Sequence, residues 1–280
     1  MPKFLTATTD ITFKRLFGLQ RNADITIGFL NAILDRSDQD AITEVIIQDP
    51  SNHPEYDGKR RSIVDIRCSD KKNNQYVIEM QVIDEKNFVE RCQYYVAKTL
   101  ADQLDQKQNF RKINPVIFIG VLGNFTIDLD EHFVCHHNIR NVTTNKQLLK
   151  HMDFYFLELE KFNKKETELV TPIDRWAFLL KQSGVLDHIP TQIQNDKPVQ
   201  HALTELDRVG WTQQDLDAYR LSLEIFYESD NAKEAWIEAG KAKGAFEEKC
   251  LIARQMLAKK IDITIIADVT SLSVEEIQKL

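Results

Sequence analysis

Two apolar runs carry carboxylates in places where a buried strand would ordinarily carry none. Ile63-Val64-Asp65-Ile66 sets an aspartate among branched aliphatics, and Tyr76-Val77-Ile78-Glu79-Met80-Gln81-Val82 sets a glutamate and a glutamine two residues apart. Side chains alternate faces along a strand, so Glu79 and Gln81 share one face while Ile78, Met80 and Val82 take the other. A buried carboxylate without a partner is expensive, so two on adjacent strands need a shared cause. A divalent cation is the economical one. Mg²⁺, or Mn²⁺ in its place, takes a few carboxylate oxygens and leaves the remaining positions to water and phosphate. Asp10 is either a helix N-cap or a third carboxylate near such an ion.

The two strands must also be in the right register. Their connection, DKKNNQ, is rich in turn residues and predicts an antiparallel hairpin. An odd loop, for example three residues with an Asn in the left-handed conformation, sets Asp65 opposite Glu79 or Gln81 on one face. An even loop without a bulge sends it to the other face. The competing reading is a solvated face of an edge hairpin.

The surrounding pattern predicts what holds the hairpin. Phe13, Leu16 and Phe17 mark a helix after Asp10 that stops at Gly18, and a second helix follows over ADITIGFLNAILD. Glu44 to Gln48 and Ser62 to Cys68 read as strands before the Tyr76 run. From Asp84 a helical stripe runs through Phe88, Cys92, Tyr95, Val96, Thr99 and Leu100 to about residue 108. PVIFIGVLG suits a central strand covered on both faces, and HFVCHHNIR and MDFYFLELEKF complete the sheet. Beyond residue 165 the chain reads as helical, with Trp176, Trp211 and Trp236 as packing anchors. Its end reads as a long helix softened at its glycines, a short helix, a turn, and a helix opened by a Ser273 to Glu276 capping box.

Composition narrows the function classes. The 280 residues carry a formal net charge of −7, which argues against coating nucleic acid or an anionic membrane by bulk charge. Cys68, Cys92, Cys135 and Cys250 form no Cys-x-x-Cys pair, so neither a zinc ribbon nor a disulfide framework is indicated. His132, His136, His137 and His151 with Cys135 invite a zinc reading, but strand alternation sends His136 and His137 to opposite faces. No segment is apolar enough to span a bilayer, so a cytoplasmic protein without a membrane partner is expected.

A carboxylate on one strand of a hairpin and Glu-x-Lys or a variant on the next, between two helices, resembles the PD-(D/E)xK nuclease superfamily. More narrowly the chain resembles the PD-(D/E)xK family transposases, or Rpn recombination-promoting nucleases. The resemblance is carried by Asp10-x-x-Phe13-Lys14-x-Leu16-Phe17, Phe29-Leu30-Asn31, Lys59 ahead of Ile63-Val64-Asp65-Ile66, and Ile78-Glu79-Met80-Gln81. It continues through Arg91 with Tyr94 and Tyr95, Pro115-Val116, Leu157-Glu158-Leu159 before Lys161-Phe162, and Ile265-Ile266-Ala267 to Ser273.

That resemblance implies an α/β, restriction-endonuclease-like core, a mixed sheet flanked by helices, followed by a mostly helical C-terminal region. The expected division is a core over 1–165, a helical extension over 166–240, and a helix-turn-helix-like association tail over 241–280. The implied activity is metal-dependent DNA endonuclease cleavage, with a catalytically weak DNA-binding or assembly module as the alternative. Asp65 and Glu79 would hold the ion, with Asp10 as a further candidate ligand. Gln81 stands where the superfamily places lysine, and its amide can orient water but brings no charge. Lys14 or Lys59 could restore that charge, and Lys59, Arg60, Arg61 and Arg91 could grip DNA. In the tail, Glu275 and Glu276 disfavour direct DNA reading. A stripe of Ile261, Ile265, Ile266, Leu272 and Ile277 instead suggests a homo-oligomer, such as a dimer.

Overall fold

In the computed structural model, which describes residues 2–48, 64–104, 109–259, 261–273 and 276–277, the chain begins with two helices. They are α1 (Asp10–Phe17) and α2 (Ala23–Ile33), and both bury their apolar stripes: Phe13, Leu16 and Phe17 on the first, Ile25, Phe29 and Leu30 on the second. Thr9, not Asp10, is the N-cap of α1. Asp10 is its first helical residue, where a negative charge meets the positive end of the helix dipole.

Six strands follow: β1 (Val45–Gln48), β2 (Ile66–Asp70), β3 (Gln75–Gln81), β4 (Val116–Leu122), β5 (Val134–Asn138) and β6 (Met152–Glu158). Helix α3 (Phe88–Ala101) connects β3 to β4. The sheet order is β1-β2-β3-β4-β6-β5, with β3, β4 and β6 parallel and the other pairings antiparallel. The continuous apolar run of β4 is buried at every residue, as a strand covered on both faces requires. Residues 49–63, which include the start of the Ser62 strand, lie outside the described residues.

The two sheet faces meet different helices. Ile78, Ile117, Ile119 and Leu157 pack with α1 and α2, whereas Val77, Phe118, Leu122 and Phe156 pack with Phe88, Cys92 and Val96 of α3. Helices α4 (Pro172–Gln182) and α5 (Lys197–Leu206) join the first of these cores. Trp176 of α4 is fully buried with its ring 5.6 Å from that of Phe29 and 6.0 Å from that of Phe17. Helix α5 comes so close to α2 that a methyl added at Gly28 would lie 2.4 Å from Cβ of Pro198.

Residues 2–226 form one compact unit and 227–280 a second. Helix α6 (Gln213–Ala258) starts in the first and ends in the second, and it runs unbroken through Gly240 and Gly244, where a long helix broken or softened was expected. In the second unit, Ala253 of α6, Ile266 of α7 (Ile263–Thr270), Leu272 and Ile277 bury one another. Most of the stripe expected to face a partner is thus spent on the tail's own small core, and Ile265 remains exposed. The capping box is present: Ser273 N and Oγ donate to Glu276, and Glu276 N donates back to Ser273 Oγ. Among the described residues, no helix is long and apolar enough to cross a membrane.

Candidate active site

The hairpin register decides whether the carboxylates meet. Strands β2 and β3 pair Ile66 with Ile78, Arg67 with Val77 and Ser69 with Gln75. Asp70 N donates to Asn74 O, which leaves Lys71, Lys72 and Asn73 as the turn, and Asn73 is left-handed at φ 61°. The loop is therefore the odd, three-residue kind. Carrying the register one residue past Ile66 sets Asp65 opposite Glu79, and directly opposed residues have Cβ atoms about 4.5–5.5 Å apart on one face. β3 is interior to the sheet and Glu79 is only 6 % exposed, so the edge-hairpin reading fails on burial.

The two carboxylates have different surroundings. Asp65 Oδ2 accepts a 2.8 Å bond from Met80 N, which ties it to the partner strand one residue before β2 begins. Burial nevertheless pushes its carboxyl up, opposed by that bond and by Lys14. Glu79 is pushed up to about 8, first by burial and then by the neighbouring Asp65 charge, with Arg91 pulling the other way. Glu79 Oε1 is buried and has no hydrogen-bond partner among the described residues. Two hard oxygen donors side by side, one lacking any donor, suit a divalent cation that accepts carboxylate oxygens.

Gln81 lies on the same face as Glu79, and both ends of its amide are engaged. Its Oε1 accepts a 2.7 Å bond from Arg91, and its Nε2 donates to Ile83 O at 2.9 Å. Arg91 stands at the end of the first turn of α3, which starts at Phe88 after the left-handed N-cap Asn87 (φ 77°) and not at Asp84. Its guanidinium also bonds Glu85, not the Glu90 beside it in sequence, and lies 5.7 Å above the Phe88 ring. Lys98 pairs along the helix with Asp102 at 3.1 Å, as the sequence spacing allows. The grip of Arg91 on Gln81 was not visible in sequence; the only signal was the position of Arg91 one turn into the helix after the hairpin.

Of the other candidates, Lys14 and Asp10 form an i,i+4 pair at 2.7 Å on the outer part of α1. The charges of both reach Asp65. Lys59, Arg60 and Arg61 lie outside the described residues. Among the described residues, three-donor groupings of His, Cys, Asp and Glu are limited to Asp128, Asp130 and Cys135, without Asp10, Asp65 or Glu79. Next to it, Glu158 accepts from Cys135 Sγ at 3.6 Å and pairs with Lys161 at 2.9 Å. The histidines do not gather: His136 stacks on Tyr155 and bonds Asp153, while His137 meets the edge of Phe156.

Residues 7–236 match the family model described as PD-(D/E)XK nuclease family transposase. Residues 246–280 match the model described as Rpn/YhgA-like nuclease family, C-terminal HTH domain. No curated protein and no solved structure matches the chain.

Proposed function

Since the chain belongs to the PD-(D/E)XK nuclease family transposases, with residues 7–236 inside that match, we propose that it is a divalent-metal-dependent DNA endonuclease of the recombination-promoting kind. The observation that carries the reading is the opposition of Asp65 and Glu79 on a buried strand pair, with Glu79 Oε1 lacking a partner. These two side chains would hold Mg²⁺, or Mn²⁺ in its place. When bound, such an ion lowers the pKa of a coordinated water and stabilises charge on a phosphate.

The chain's own residues account for the rest. Met80 N fixes the orientation of Asp65 before any ligand arrives, which limits the reorganisation needed on binding. The packing of Val77, Phe118 and Phe156 under α3 keeps that flank of the site apolar, so charges there are weakly screened. DNA is the partner suggested by both family matches. Assembly into a homo-oligomer through residues 241–280 could use Leu251, Ile252, Ile265 and Val269, large apolar side chains that are exposed among the described residues there.

The test is plasmid nicking by the purified chain with Mg²⁺ or Mn²⁺, beside Asp65→Ala and Glu79→Ala. The parent should nick, and both variants should lose at least about 100-fold, the scale for removing one preorganised charge-stabilising group. Nicking that survives both substitutions, or a parent inactive with every divalent ion tried, would remove the endonuclease assignment. The second outcome would leave a nuclease-fold module that binds or assembles without cutting.

A further inference from the structure

We propose that Arg91, held by Gln81, is the catalytic cation of this site and contacts the phosphate undergoing cleavage, in the role that the superfamily gives to lysine. The inference rests on the endonuclease reading above. Its basis is that Gln81, which by the resemblance stands in the lysine position, already makes one bond at each end of its amide, and one of these holds a cation. The carbonyl oxygen accepts from Arg91 at 2.7 Å, and the amide nitrogen donates to the backbone oxygen of Ile83. A glutamine bonded in this way acts as a bracket for its neighbour, whatever water its remaining donor and acceptor take up. The positive charge thus lies one hydrogen bond beyond the Gln81 side chain, on the face that carries Glu79.

The guanidinium has the features this role requires. Its Nε is buried without a partner among the described residues, while the side chain as a whole keeps about a third of its surface exposed. Its other contact is Glu85, whose side chain is 53 % exposed. An exposed carboxylate in that position can be displaced by a phosphate, for which the planar fork of arginine is well matched. Both site carboxyls feel the charge, since Arg91 opposes the upward shifts of Asp65 and Glu79. Among the described residues, two other candidate cations are paired, Lys14 with Asp10 at 2.7 Å and Lys161 with buried Glu158 at 2.9 Å, and neither is hydrogen-bonded to Gln81 as Arg91 is.

The experiment uses the full chain and three readouts: plasmid nicking, Mn²⁺ binding by calorimetry without DNA, and recovery of nicking by free guanidinium ion at millimolar concentration. Arg91→Ala should nick about 100-fold more slowly or worse. Mn²⁺ binding should be retained or tightened, because a cation beside the two carboxylates has been removed. Free guanidinium, and separately the double variant Gln81→Lys with Arg91→Ala, should each recover at least tenfold of the loss. If Arg91→Ala does not fold, the double variant and Arg91→Lys are read in its place, and Arg91→Lys should keep more than a tenth of the parental rate.

Nicking by Arg91→Ala within about threefold of the parent overturns the proposal. Loss of Mn²⁺ binding together with activity also overturns it, because Arg91 would then be building the metal site. So does intact metal binding with no recovery by either route. A parent that fails to nick with both Mg²⁺ and Mn²⁺ removes the endonuclease reading and this role with it, a result distinct from the other three.

Discussion

At the scale of single residues, Glu79 shows how burial opposes the ionised form that its proposed role requires. With its carboxyl raised from the usual 4.5 to about 8, the folded chain holds this proton more tightly than the unfolded chain does. Its contribution to stability is therefore complete below about pH 4.5 and is lost as pH rises through about 8. Glu79→Gln in EDTA should become more stable than the parent as pH rises from 5 to 8, by about 1–3 kcal/mol at the upper end. Urea unfolding at several pH values checks this, and a constant difference would contradict it. Asp65→Asn can keep the bond from Met80 N through its amide oxygen while removing the charge beside Glu79. It should fold normally, weaken Mn²⁺ binding at least tenfold in calorimetry, and shift the Glu79 titration downward. Asp65 and Glu79 were legible in sequence because a charge inside an aliphatic run is conspicuous. The contact between Arg91 and Gln81 was not, because it depends on where α3 begins, which is set by the left-handed turn at Asn87.

At the scale of elements, the hairpin turn keeps the two carboxylates on one face. Asn73 adopts a left-handed conformation that Asn tolerates and β-branched residues do not. Asn73→Gly should leave stability within about 0.5 kcal/mol, and Asn73→Val should cost about 1–2 kcal/mol. Thermal unfolding of the two variants tests this, and equal effects would contradict it. A second prediction concerns the helices. A methyl at Gly28 gains helix propensity of about 1 kcal/mol but must displace Pro198 Cβ, a ring atom with no rotamer to yield. Gly28→Ala should therefore be net destabilising by about 1–3 kcal/mol in denaturant unfolding, the usual range for overpacking. The strand pattern was enough to anticipate the sheet, but it left the loop parity open, and the Asp70–Asn74 pairing with left-handed Asn73 decides it. The packing of α4 and α5 into the first core was not legible, because burial of Trp176 against Phe17 and Phe29 is a contact across some 150 residues.

At the scale of the molecule, Asp65, Glu79, Gln81 and Arg91 all belong to the unit of residues 2–226, and the stripe of Ile266, Leu272 and Ile277 belongs to the other. A chain ending at Phe226 should fold and bind Mn²⁺ within about threefold of the full chain, as each unit has its own core. Failure of that shortened chain to bind would show that residues 227–280 contribute to the ion site. The tail's stripe was visible as a periodic pattern, but whether such a stripe meets a partner or its own chain depends on a turn that periodicity does not record. The lone buried oxygen of Glu79 has one more consequence. An ion bound by the folded chain alone stabilises the fold by about 2.7 kcal/mol at one hundred times its dissociation constant. The melting temperature itself then reports occupancy, so a panel of metals can be ranked by thermal shift before any nucleic acid is added.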